Sequence, residues 1–208
     1  MQARSTVTVE AIYEATIQVL LAVGADRLTT TRVAERAGVS VGTLYQYFPN
    51  KQSLLLSALE KHVDRVASVV EVACRRNHGQ QMSTMIESVV EAFVDAKMER
   101  SDISMALFAT AVGAQERALV NKAAKRTHAA MASMLATAPN TKFDDLPFTS
   151  LMLFSAMGGA TRAVLEAGSP PKMVRSLRKQ LVLLCGGFLT SVAVEHRKLT
   201  HAGTEPRQ

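Results

Sequence analysis

LTTTRVAERAGVSVGTLYQYFPNKQSL, residues 28–54, is the stretch whose reading decides the fold of this 208-residue chain. In residues 31–37, Val33, Ala34 and Ala37 share one helical face, while Arg32, Glu35 and Arg36 share the other. Gly38 follows where that helix must stop, because glycine enters the left-handed region without a Cβ clash. Ser40 is placed to cap a second helix, its hydroxyl accepting an amide proton. There Val41, Leu44 and Phe48 fall at i, i+3 and i+7 as a narrow inward stripe, which leaves Gly42, Thr43, Gln46 and Tyr47 outward. Pro49 ends the second helix, since the residue before a proline is pushed out of helical geometry. Asn50 then caps a third helix, with Lys51 in its first turn.

Two short helices joined by a glycine turn form a helix-turn-helix, a motif whose second helix lies in the major groove of DNA. The outward residues suit that setting. Thr43 and Gln46 can hydrogen-bond base edges, and the Thr43 methyl can meet a thymine methyl. Gly42 lets the backbone come close. Thr30, Thr31, Tyr47 and Lys51 are residue types that hold phosphates and fix register without reading sequence. The helix start at Asn50 and Lys51 adds free amides and a favourable dipole for a phosphate. Each element alone has an ordinary structural reading: Tyr45 as a packing residue, Lys51 as a solvated charge, the turn as a common helix connection. Their joint order near the N-terminus points to DNA.

The stretches TTTRVAERA and GVSVGTLYQYFPNKQSLL together resemble the DNA-binding domain of the tetracycline-repressor (TetR) family of bacterial regulators. The resemblance covers residues 6–66, with the motif at 29–48. It implies DNA-contacting roles for Thr30, Thr31, Val41, Gly42, Thr43, Tyr45, Gln46, Tyr47 and Lys51. It further implies an all-α fold: an N-terminal three-helix head joined to a helical ligand-binding and dimerisation domain, here 80–199. On that basis the partners expected are an operator in double-stranded DNA, a small-molecule effector and a second copy of the chain.

Composition agrees with helices. Hydrophobic residues make up 48% of the chain, aromatics only 5%, and tryptophan is absent, so leucine, alanine, valine and methionine must build helix-on-helix packing. The net charge of +6 suits a nucleic-acid partner. Its placement does not single out the head, however. Residues 1–65 hold seven Lys and Arg against six Asp and Glu, and the remainder holds 17 against 12. Cys74 and Cys185 are too few and too distant for a metal site or disulfide framework, and read as free core thiols of a cytoplasmic protein. No signal-peptide order opens the chain, and charge or glycine breaks its longest apolar runs before they reach a membrane span.

Outside the motif, residues 1–6 read as a loose arm with Arg4 near phosphate. A first helix follows, closed by Gly24, and residues 53–76 form a long helix broken at 77–79. Further helices are expected at 82–98, 103–112, 115–137, 148–167 and 174–199, with breaks at 101–102, 113–115, 138–147 and 167–171. The C-terminal HAGTEPRQ reads as frayed. Asp144 and Asp145 read as caps for the helix near Pro147.

The last two helices carry SAMGGATRAVL and LVLLCGGFLTSV. Glycine inside a helix costs about 1 kcal/mol against alanine, so close packing is the natural compensation. Ser155, Gly158, Gly159, Arg162, Gly186 and Phe188 are therefore candidate dimer-interface residues, with burial inside one chain as the alternative. In the middle helices Met85, Phe93, Met105, Phe108, Asn121, His128, Met131 and Phe154 are candidate ligand contacts, because methionine and aromatics adapt to irregular apolar ligands. Most such methionines fill cores. Gln115 and Arg162 are further polar candidates.

No GxSxG elbow, phosphate-cradling glycine loop or HExxH is present, and the five histidines show no metal-ligand spacing, so neither enzyme activity nor a cofactor is expected. A DNA-binding repressor released by a largely apolar ligand is the leading reading. A ligand-independent or architectural DNA binder with the same head is the alternative, and a helical enzyme or carrier with an incidental motif is the third.

Overall fold

The computed structural model describes residues 2–111 and 113–195, the side chains of 2–5 and 195 excepted. The phosphate contact expected of Arg4, and every reading of residues 196–208, lie outside it. Chain order is α1 (Gln2–Arg27), α2 (Thr30–Ala37), α3 (Val41–Tyr47), α4 (Lys51–Arg76), α5 (Met82–Met98), α6 (Ser101–Thr110), α7 (Ala114–Leu135), β1 (Thr141–Phe143), α8 (Leu146–Glu166), α9 (Pro171–Val192) and β2 (Ala193–Glu195). The chain is all-α in class.

The head forms where the local sequence says it should. Thr29 caps α2 by accepting from the Arg32 amide at 3.3 Å. Gly38 closes it at φ 68°, ψ 29°, with its own N–H on Glu35 O and that of Val39 on Ala34 O, at 3.2 and 3.0 Å. This is the paired closure that a left-handed glycine allows. Ser40 Oγ accepts from the Thr43 amide at 2.9 Å and starts α3. Asn50 and Ser53 then cap α4 reciprocally, each side chain bonded to the other's amide. Ile12 and Leu20 of α1, Val33 of α2, Leu44 of α3 and Leu55 of α4 close one core.

α4 belongs to two cores. Leu54, Leu55, Ala58, Leu59 and Val63 sit in the head's core, while Val66, Val70 and Cys74 sit in a second one. The second core adds Val89 and Phe93 from α5, Met131 and Met134 from α7, Leu153 and Met157 from α8, and Leu181 and Leu189 from α9. α7 lies along α4. Arg126 ties the two by hydrogen bonds to Asp64 at 2.7 Å and Glu71 at 2.9 Å, and Gln52 Nε2 donates to Glu116 Oε1 at 2.7 Å. α6 packs against α1 and sends Ile103 and Leu107 into the head's core, so the C-terminal half braces the head directly.

Several expectations shift. α1 begins at Gln2, where a loose arm over 1–6 was expected, and Gly24 bends it (φ 77°, ψ 167°) rather than ending it. Ser101 and Asp102 open α6 instead of breaking the chain, because Asp102 at the helix start favours the dipole and pairs with Arg100 at 2.9 Å. The last helix stops at Val192, short of 199. Its continuation, Ala193–Glu195, pairs antiparallel with Thr141–Phe143 inside the segment read as a plain loop. Two stretches, Thr6–Arg27 and Leu146–Glu166, are long and apolar enough to span a bilayer, contrary to the interrupted runs expected. Here α1 packs on α2, α4 and α6, and α8 on α7 and α9.

Asp145 caps α8 by accepting from the Phe148 amide at 2.9 Å. Cys74 and Cys185 are buried free thiols, which burial pushes up to about 12 and about 11. Neither forms a reactive thiolate near neutral pH.

Candidate functional site

Two surfaces stand out, one on the head and one between the middle helices. On the head, Thr31, Gly42, Tyr45 and Gln46 are exposed, and Thr30, Val41, Thr43 and Lys51 are half-buried beside them. Nothing in the chain requires glycine at 42: an added Cβ would meet only Ser40 Oγ, at an ordinary 3.7 Å. The bare backbone there therefore faces outward without an internal reason. Thr30 Oγ1 and Tyr45 Oη lie 3.1 Å apart and tie α2 to α3. Thr43 Oγ1 lies 2.8 Å from Ser40 Oγ. The Lys51 ammonium donates to Asp26 O at 3.1 Å, which parks it at the end of α1 with further N–H bonds to give.

One placement differs from expectation. Tyr47 is half-buried against the head's core, whereas Tyr45 is the exposed tyrosine, at 49%. The reason is helical phase: Tyr47 follows the fully buried Leu44 by three residues and so shares its face.

The second surface is a largely apolar cavity of about 330 Å³, within the size range of small-molecule sites. α4 contributes Val63, Val66 and Ala67 to its wall, and α7 contributes Val120, Ala123 and Thr127. Phe93, Phe108 and Phe154 supply aromatic surface, with Phe93 and Phe154 edge to face at 5.7 Å. Of the remaining expected ligand residues, Met85 and Met131 are wholly buried in the second core and stand off this wall. Met105 lines a small adjoining depression with Phe108 and Arg162, and Asn121 another with Arg117 and Val120. His128 lies off this wall with its ring tilted against Phe154, centroids 5.6 Å apart, and burial and then Lys125 lower its proton affinity. Gln115 is exposed.

The expected interface residues divide. Gly158, Gly159 and Arg162 lie on the cavity wall, the last ion-paired with Glu166 at 2.7 Å. Ser155 is exposed, Gly186 half-buried, and Phe188 packs on the second core. Added Cβ atoms at Gly158, Gly159, Gly186 or Gly187 would meet nothing within 4 Å. The close approach that would compensate for these glycines is thus not made inside the chain. Leu183 and Leu184 on α9, and Phe148, Leu151 and Met152 on α8, are exposed large apolar side chains.

Two polar groups in the cavity escaped sequence reasoning. Lys97 of α5 is only 8% exposed, with its ammonium 4.6 Å over the Phe108 ring. Burial lowers its pKa to about 8. Thr161 of α8 is buried, and its hydroxyl is the one buried side-chain polar atom without a hydrogen-bond partner among the described residues. The available signal was phase, since Lys97 follows the buried Val90, Phe93 and Val94 on the same helical face. Behind Lys97, Ser104 Oγ donates to the Lys97 carbonyl at 3.0 Å and lies 3.3 Å from His62 Nε2. With the hydroxyl proton committed, His62 is the donor in that pair, hence Nε2-protonated and neutral. Burial, then the Lys97 charge, pushes it down to about 4.

Comparison with known proteins gives the same two halves. Residues 12–58 match the family described as bacterial regulatory proteins, tetR family, and residues 82–189 match the tetracyclin repressor-like C-terminal domain. The chain is similar to the HTH-type transcriptional repressor KstR of Rhodococcus jostii, 34% identical over 119 residues, or 57% of this chain and 56% of that protein. It thus spans about half the length of the curated relatives it matches, or less. In fold it resembles a TetR-family regulator from Mesorhizobium loti, with TM-score 0.78 and 20% identity over 92% of this chain and 99% of that one. It also resembles the regulator FadR of Bacillus subtilis, solved in complex with stearoyl-CoA, with TM-score 0.69 and 16% identity over 85% and 96% of the two chains. With both halves matched, and one signature alone covering 82–189, the chain belongs to the TetR family of bacterial regulatory proteins, which are regulators and not enzymes.

Proposed function

We propose that the protein is a cytoplasmic transcriptional repressor that binds a palindromic operator as a homodimer and leaves it when a small, largely apolar ligand enters the cavity. The observation that carries this reading is the course of α4. Lys51, in its first turn, stands at the head's outward face, and Val63, Val66 and Ala67 of the same helix form part of the cavity wall. Lys51 and Val63 are separated by about 18 Å along the axis, so a ligand that displaces the wall moves the head through one rigid rod. Thr43 and Gln46 read base edges, Gly42 lets the backbone come close, and Thr30, Thr31, Val41, Tyr45, Tyr47 and Lys51 set register on the DNA backbone.

Pairing through α8 and α9 would cover the exposed Leu183, Leu184 and Leu151 and use the glycines that pack on nothing in one chain. Two heads then meet half-sites about 34–36 Å apart, or a multiple of it. The cavity is what favours ligand release over a ligand-independent DNA binder. Selection of binding sites from random-sequence DNA, followed by footprinting, tests the reading. A palindrome protected by two protomers supports it, and binding without sequence preference contradicts it.

A further inference from the structure

We propose that the cavity is built for an apolar carboxylate, its apolar body against the Phe93, Val66 and Phe154 walls and its carboxylate on the Lys97 ammonium and the Thr161 hydroxyl. This deepens the reading of the cavity as the effector site and rests on it.

Two polar groups on the cavity wall find no polar partner among the described residues. An ammonium out of water is costly unless it is paired. Here Lys97 has the Phe108 ring face at 4.6 Å and, among the described residues, no carboxylate partner. With a pKa of about 8 it is about nine-tenths protonated at pH 7. A neutral apolar ligand would remove its remaining water and return nothing. An amine would be repelled. A carboxylate supplies the missing partner through a charge-assisted hydrogen bond.

Thr161 adds a second, independent pointer. Three other helical threonines return their hydroxyl proton to the carbonyl four residues back: Thr16 to Ile12, Thr127 to Ala123 and Thr190 to Gly186, at 2.7 to 3.0 Å. Thr161 makes no such bond and lines the cavity, so its donor is free for an occupant. Charge count also selects a monoanion. The other cation on the wall, Arg162, is already paired with Glu166 at 2.7 Å, which leaves one unmatched positive charge for the ligand. A headgroup seated on Lys97 would also press on the Ser104–His62 chain that links the end of α5 to α4.

The test is calorimetric titration of the full-length protein with hexanoate, octanoate and decanoate, and with the alcohols and amines of the same chain lengths. Carboxylates should bind about tenfold or more tightly than their alcohols, as expected for a hydrogen bond to a charged group, and amines should not bind. Lys97→Met should abolish the preference while keeping alcohol binding, and should raise the apo Tm by about 2–4 °C, because an unpaired buried charge is replaced by a thioether. Thr161→Val, nearly isosteric, should weaken carboxylates several-fold and leave alcohols unchanged. Alcohols binding as tightly as carboxylates, a preference that survives Lys97→Met, or no binding by any of the three series would each overturn the proposal. Adding selected operator DNA to the same titration separates the two readings. A Lys97-dependent carboxylate that leaves the DNA complex intact supports the cavity chemistry and overturns ligand release.

Discussion

Lys97 and His62 are both held below their usual proton affinity by burial, and the signs of their effects on stability can be worked out. His62 titrates at about 4 when folded, against 6.5 for an unperturbed imidazole. Between those values only the unfolded chain takes up the proton, so stability is full above 6.5 and falls by about 3 kcal/mol as pH drops to 4. His62→Leu should flatten that part of the denaturation profile relative to wild type; a slope unchanged by the substitution would refute the buried neutral imidazole. Lys97 titrates at about 8 against 10.5, so stability should climb by about 3 kcal/mol as pH rises through that interval. Lys97→Met should lose the climb. On the DNA face, Gln46→Ala should relax base preference at one operator position by about 1–3 kcal/mol, whereas Lys51→Ala should weaken all sequences alike and lower the salt slope by about one. Operator affinity measured against single-base variants at two salt concentrations distinguishes them. The outward positions 42 and 46 are legible from periodicity alone, and Thr43 beside them is half-buried. Tyr47 faces inward although the stripe Val41, Leu44 and Phe48 leaves it outward, because it follows Leu44 by three residues while Phe48 already lies past the end of a seven-residue helix. Lys97 is not legible in sequence, because its residue type argues for solvent while its phase argues for burial, and only packing decides between them.

Among the helices, legibility tracked capping. Gly38, Ser40, Asn50 and Asp145 each announce a boundary through a side chain or a φ that only a few residues supply, and each boundary falls where it was read. The ends of α6 and α9 carry no such signal. The arginine before α6 makes no cap bond, and Ala193 after α9 ends it simply by turning extended. Pairing of Ala193–Glu195 with Thr141–Phe143 joins residues some fifty apart, which no local pattern encodes. The glycine turn gives a direct check on the head. At Gly38, φ is 68° and a Cβ would meet nothing within 4 Å, so Gly38→Ala meets only the backbone penalty, about 1–2 kcal/mol. Its unfolding free energy from urea titration should fall by that amount, as a lower midpoint with an unchanged slope; an unchanged midpoint would mean that the turn is not left-handed.

At the scale of the molecule, α4 is the shared part, packed in the head's core over its first half, on the cavity wall at its middle and in the second core beyond, and the family match spans both halves. The exposed leucines of α9 set the expectation for assembly. Leu183→Asp with Leu184→Asp should give a monomer by light scattering, with an intact helical signal and operator affinity lowered about a hundredfold or more, since the second head no longer adds its contacts. A dimer that persists would move the interface elsewhere. Whether occupancy of the cavity is read out at the DNA is decided by operator binding followed while octanoate is titrated against wild type and Lys97→Met. Wild type should leave the operator over the concentration range in which octanoate binds free protein, and Lys97→Met should hold on through that range. A wild-type complex that remains on its operator with the cavity filled would refute the coupling.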